Sequence, residues 1–291
     1  MGIRSIEGDH GDPMTRSIIP IPLLKPLSFF CTDENLAQGE KLDHSLRELS
    51  QCRGLGSGVE VSMCEWFIAN GVQTEPYGWS ILANQARSHP RAMNTTLMRR
   101  QMFTQAERTL PRFAANVFDQ AELFQCARLA SHRSGAFRKA DIFTQPDRDG
   151  ARIRFIARDK VRGRIEEILR TINESGCDQQ TSVRAIWVML AFLNCHPYVD
   201  GNGRTSKYLF NLVLAKSGIT TEYLLPLSTI SLGSQGFFAI CARRAELQDS
   251  FDMILKFLAT AIALTKLCFE KKPYVFLSKQ QTCLGALSPQ Q

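Results

Sequence analysis

Twelve consecutive residues concentrate the chemistry of this chain: His196-Pro-Tyr-Val-Asp-Gly-Asn-Gly-Arg-Thr-Ser-Lys207. They include a histidine, an aspartate, an asparagine, two glycines and two cations. Gly201-Asn202-Gly203 can take positive φ, let a ligand approach the backbone and turn successive N–H groups toward an anion. A helix beginning near Arg204 would add the partial positive charge of its N-terminus at the same place. Arg204 offers a planar fork for phosphate oxygens, and Lys207, one turn on, adds a second charge. Asp200 is an acid in an otherwise positive loop, which suits Mg²⁺ shared with phosphate oxygens. His196 is the group whose ordinary pKa is nearest neutrality, fit to take a proton from an attacking hydroxyl. A base, a cation-binding carboxylate and a phosphate cradle together describe phosphoryl or nucleotidyl transfer. Asp-Gly-Asn-Gly is also ordinary turn composition, so residue types alone leave a structural turn open.

The flanking periodicity says what must hold this loop. Val183, Ile186, Trp187, Leu190 and Leu193 recur at helical spacing, and Pro197 ends that helix near His196. Beyond the loop, Leu209, Leu212 and Val213 form another stripe, closed by Ser217-Gly218. Upstream, Phe113, Val117, Ala121 and Phe124 fall on one helical face. Short strands or a hairpin are expected over Ala136 to Phe143 and Ile153 to Ile156, with turns at Ser134-Gly135 and Asp147 to Gly150. Val161, Ile165, Ile168, Leu169 and Ile172 mark a helix stopped by Ser175-Gly176, and Phe251, Ile254, Leu255, Leu258 and Ile262 mark a last long one. Residues 60–110 suggest short helices around Met63 to Ala69 and Thr95 to Thr109, whereas residues 1–60 read as loops. The fold class is mainly α: an antiparallel helix bundle with a small β-hairpin flap, not a parallel sheet.

Composition narrows the partners. The 291 residues carry a formal charge of +7, suited to a nucleotide or an acidic protein surface, and no long Lys/Arg run argues for nucleic acid. The apolar stretch from Ile18 to Cys31 is broken by Pro20, Pro22, Lys25 and Pro26, so neither a membrane span nor a secretory signal is expected. Nine cysteines without Cys-x-x-Cys or zinc spacing read as reduced thiols of a cytoplasmic protein, a pattern that delivery into a host cell as an effector would also allow. Cys195 and His196 are neighbours on a helix, where side chains point apart, so they form no thiol dyad.

The segment from His196 to Lys207 closely resembles the signature of the Fic family, His-Pro-Phe-x-Asp-Gly-Asn-Gly-Arg-x-x-Arg. Ser134 to Arg138 with Ala140 to Phe143 looks like that family's flap hairpin, and Leu225 to Ser228 and Phe237-Phe238 look like its later helices. The resemblance covers about residues 113–265 and implies Mg²⁺-dependent transfer of AMP from ATP to a Ser, Thr or Tyr hydroxyl of a target protein. It implies His196 as base, Asp200 at the metal, and Gly201, Asn202, Gly203, Arg204 and Lys207 at the phosphates, with Asn211 near the nucleoside. It also implies that flap residues Phe137, Arg138, Lys139, Ala140, Asp141 and Ile142 dock the target as an added strand. Other Fic-type reactions stay open: transfer of UMP, GMP or phosphocholine, removal of AMP, or binding without catalysis.

Two departures stand out. Tyr198 replaces the usual Phe and brings a hydroxyl that needs a partner if buried, and Lys207 replaces the usual second Arg and loses its fork. The family's inhibitory helix places Glu four residues after Ser or Thr, and no Glu here does so. A separate antitoxin-like protein, no inhibitor at all, or a divergent element within residues 30–110 is then expected. The expected organisation is an extension over 1–60, partly disordered, a helical accessory region over 61–112, a Fic core over 113–268 and a tail over 269–291.

Overall fold

The computed structural model describes residues 18–52, 58–69, 104–131, 136–144, 151–174, 181–220, 224–234 and 236–270. The expected turns at Ser134-Gly135, Asp147 to Gly150 and Ser175-Gly176, residues 95–103 and most of the tail lie outside them.

Helix α7 (Thr181–Cys195) is the axis of the molecule: every residue except Leu193 is buried. The sequence stripe is therefore one part of a helix that is covered all round, as an interior helix must be. Around it pack α1 (Leu27–Phe30), α2 (Asp33–Ser50), α6 (Val161–Asn173), α8 (Asn202–Lys216) and α10 (Phe237–Gln248). Helix α11 (Asp252–Phe269) lies against α2, α10 and α3 (Val59–Ala69). The short α9 (Leu227–Gly233) rests on α3 and α8, and α5 (Gln120–Ala130) rests on α8.

Three sequence expectations change. Residues 1–60 are not all loop: α2 is an eighteen-residue helix, with Thr32 capping the Asn35 amide and Asp33 and Glu34 in its first turn. Its Leu42, Leu46 and Leu49 are buried, and Gly39 meets α7, where an added Cβ would lie 2.8 Å from Val183 Cγ2. The stripe from Phe113 to Phe124 is not one helix. Residues 104–115 form α4, Val117 is 75% exposed, and Asp119 starts α5 through a reciprocal capping box with Glu122. The flap holds more than a hairpin. Thr144 N–H donates to the Ile153 carbonyl and Phe155 N–H to that of Ile142, an antiparallel pair. On the far side, β1 (Ile18–Pro20) adds in parallel to β2 (Arg152–Arg154), so a short parallel pair exists outside the bundle.

The segment that follows β1 is pinned to α7. Asn194 accepts from the Leu24 amide and donates to the Pro22 carbonyl, Trp187 Nε1 donates to the Lys25 carbonyl, and Arg164 to that of Leu24. These bonds satisfy backbone that the bundle would otherwise bury without water.

Two glycine substitutions test this packing. Gly39→Val should lower stability by about 1–3 kcal/mol through overpacking against Val183. Gly163→Ala, in α6 with nothing near its Cβ position, should raise it by about 0.5–1 kcal/mol. Urea midpoints of the two variants check both.

Candidate active site

Helix α7 ends at Cys195, and His196 leaves it with φ 47°, a left-handed conformation that costs a branched or bulky residue strain. The His196 amide still bonds back to the Phe192 carbonyl at 2.9 Å. Arg138 makes the turn possible. Its guanidinium donates to the carbonyls of Cys195, His196, Ala140 and Ile156, and its amide donates to the Pro197 carbonyl at 2.8 Å. One side chain thus ties the helix end, the loop and the flap together, a use of five fixed donors that Lys could not match.

The His196 ring stacks on Phe155, centroids 3.9 Å apart, and the Arg243 guanidinium lies 5.3 Å from that same Phe155 ring. Nδ1 lies 3.3 Å from the Leu193 carbonyl, so the proton sits on Nδ1 and Nε2 keeps its lone pair. Burial lowers the pKa of this histidine from 6.5 to about 4, against the Leu193 bond; Arg243 and Arg138 push the same way as burial. The ring is neutral throughout the physiological range.

Gly201 has φ 84° and caps α8, which begins at Asn202 rather than at Arg204. Gly203 is an ordinary helical residue with open space where its Cβ would be, so its missing side chain leaves room instead of supplying a turn. Asp200 is half exposed; its Oδ2 accepts from Ser131 Oγ at 2.6 Å and lies 3.7 Å from Arg204 Nη2. Among the described residues no group of three or more His, Cys, Asp or Glu could hold a metal by itself.

Two asparagines are placed differently from their expected roles. Asn202 is buried, and its side chain accepts from the Tyr198 amide at 3.0 Å and donates to the Tyr198 carbonyl at 2.7 Å. Both ends are used to close the loop, which leaves only the backbone of Asn202 for a ligand. Asn211 likewise accepts from the Leu225 amide and donates to the carbonyls of Leu225 and Lys207. It lines the adjoining pocket while bracing the chain before α9. The flap residues also divide. Arg138 and Ile142 are buried and Phe137 packs on Phe124 and Tyr198, so only Lys139, Ala140 and Asp141 present exposed side chains.

The pocket beside the loop is lined by Arg204, Lys207, Tyr208, Asn211, Leu224 and Ser228, and also by Glu60, which sequence reasoning missed. Glu60 accepts from the Ser228 and Thr229 amides at 3.0 and 2.9 Å, capping α9 from α3. Burial raises its pKa, while these bonds and the Lys207 charge oppose the rise. Burial lowers that of Lys207 to about 8, against the pull of Glu60, and its Nζ sits 4.8 Å from the Phe238 ring centroid. Glu60 and Lys207 thus share one pocket wall, each within reach of the other's charge, and a separation of 147 positions left no local signal of it.

Residues 92–214 match the sequence model of the Fic/DOC family. A Fido domain-containing protein of Dictyostelium discoideum is 31% identical over 86 residues, which are 29% of this chain and 56% of that relative. The chain therefore matches little more than half the length of that relative. A crystal structure of a Fic family protein from Desulfovibrio desulfuricans aligns with a TM-score of 0.51 and 13% identity, over 82% of this chain and 67% of the other. This chain carries a Fic domain. BepC, a VirB-translocated effector protein of Bartonella tribocorum crystallised with bound AMPPNP, aligns more distantly, with a TM-score of 0.38 and 15% identity over 55% of this chain and 86% of that one. No helix among the described residues is long and apolar enough to cross a membrane.

Inside the Fic loop, Tyr198 is fully buried and its hydroxyl has no hydrogen-bond partner among the described residues. Tyr198→Phe should remove an unsatisfied polar group and raise stability by about 1 kcal/mol, read from its thermal midpoint.

Proposed function

We propose that the chain transfers AMP from ATP to a Ser, Thr or Tyr hydroxyl of a target protein, with His196 as the general base. The observation that carries this reading is the orientation of His196: Nδ1 is engaged by the Leu193 carbonyl, which leaves Nε2 to accept a proton next to an anion-binding helix start. The target oxygen attacks the α-phosphorus, its proton passes to Nε2, and the bond to the leaving pyrophosphate breaks.

The residues present fit Mg²⁺ carried in with the nucleotide. Asp200 offers one half-exposed carboxylate, and an ion of this kind takes its remaining ligands from phosphates and water. When bound, the ion would neutralise charge on the α- and β-phosphates. Arg204 would balance charge on the leaving pyrophosphate, the amides of Asn202 and Gly203 would meet phosphate oxygens, and Lys207 would add charge from one turn deeper. Residues 113–268 are the proposed catalytic core, with α2 and α3 bracing it. The flap receives the target backbone as a strand. Restraint of the site by an antitoxin-like partner, and delivery as an effector, belong to the same proposal.

The test uses ATP, CTP, GTP and UTP labelled on the α-phosphate, with Mg²⁺ and cell lysate. A protein band labelled from ATP and lost in His196→Ala is expected; label from another nucleotide would change the donor, and full activity in His196→Ala would remove the base. Arg204→Ala should weaken ATP binding by about tenfold or more in calorimetry. With the folded pKa depressed to about 4, the acid limb of kcat/KM should lie near 4 and not near 6.5. The same shift means that stability is full above about 6.5 and falls as pH drops from there toward 4, because the unfolded chain takes up the proton first. His196→Ala should flatten that fall in pH-dependent urea titrations.

A further inference from the structure

Among the described residues the flap has an outer edge beside the loop, and the charge there says what fits. β2 is covered on one side by β1, through the pairs Ile18 with Arg152, Ile19 with Ile153 and Pro20 with Arg154. On its other side it pairs with residues 142–144, and the bonds from Thr144 to Ile153 and from Phe155 to Ile142 bracket Phe143 and Arg154. In that pattern the N–H and C=O of Phe143 point away from β2. Residues 141–143 therefore form one outer edge of the described flap, and β1 forms the other.

The edge along residues 141–143 adjoins the loop. Arg138, just before it in sequence, bonds through its amide to the Pro197 carbonyl, and Phe155, next to the partner of Phe143, stacks on His196. It is also basic. Lys139 is exposed, and the Arg158 guanidinium reaches across to donate to the Lys139 carbonyl at 2.6 Å, a neutral partner that leaves its charge uncompensated. Arg154 is exposed on β2, and Lys160 and Arg162 follow Arg158 on the surface. Of the nearby acids among the described residues, Asp141 accepts from the Arg158 amide and lies 3.6 Å from Arg138 Nη1, so its charge is already matched, and Asp159 is the other.

We propose that the target segment docking on this edge is acidic: an extended strand whose Asp or Glu side chains, beside the modified hydroxyl, meet Lys139, Arg154 and Arg158. This rests on the transferase reading above for the identity of the site, and on the outer edge and its charge for the chemistry of the partner. Backbone pairing supplies the register, and opposite charge supplies selection and faster encounter.

The experiment measures binding of fluorescent decapeptides to the full chain by anisotropy at low salt. One peptide places Glu on both sides of a Thr, a second replaces each Glu by Lys, and a third carries the acidic sequence with alternate backbone amides methylated. The acidic peptide should bind about tenfold tighter than the lysine peptide, weaken as salt rises, and lose its affinity on methylation. Lys139→Glu and, independently, Arg154→Glu should reduce the preference at least about threefold at an unchanged thermal midpoint. Equal binding of the charged peptides, no binding of either, or a preference that survives both substitutions would overturn the proposal, and full binding of the methylated peptide would overturn strand addition. Binding needs no transfer, so a preserved acidic preference with no transfer of α-phosphate label would sink the transferase reading and leave the docking surface standing.

Discussion

The last carbonyls of α7 must find donors where the helix runs through the middle of the protein, and Arg138 supplies them. A helix end leaves several C=O groups without intrahelical partners, and here little water reaches them. The guanidinium of Arg138, itself buried, takes those of Cys195 and His196 together with two from the flap. Burial pulls the pKa of this arginine down, with Asp141 among the groups opposing it. The left-handed turn at His196, the entry to the glycine loop and the position of the flap all hang on this one side chain.

The loop then divides its polar groups between holding itself and facing outward. Asn202 and Asn211 spend their side chains on Tyr198 and Leu225, so the loop is braced from within. What remains toward solvent is Asp200, the guanidinium of Arg204 and the start of α8. In the proposed reaction, charge held in place in this way would need no rearrangement when a phosphate enters. Glu60 adds a counterweight from outside the motif. It joins α3 to α9 and lines the same pocket as Lys207, so α3 is part of the pocket wall.

The motif was legible because its chemistry is local. Asp200, Gly201 and Arg204 sit within one turn of each other in sequence and in space, and Pro197 and Ser217-Gly218 mark the ends of the flanking helices directly. Helix α2 carried signals too, a threonine cap followed by acids and spaced leucines, but they were outweighed by the glycines and prolines around them. The break at residues 116–119 was hidden because an apolar residue, Val117, continued the stripe while standing in solvent.

Residue type and spacing alone determined the mainly helical class, the place of the glycine loop between two helices and the polar residues gathered there, because caps, periodicity and glycine conformations act over a few positions. Which of those residues face a ligand, and which are consumed by the loop, was decided by tertiary structure. So were the neutral state of His196, set first by burial, the gathering of Glu60 and Lys207 in one pocket, and the covering of one side of β2 by residues 18–20. Each depends on groups far apart in the chain being brought together, and no local pattern records that.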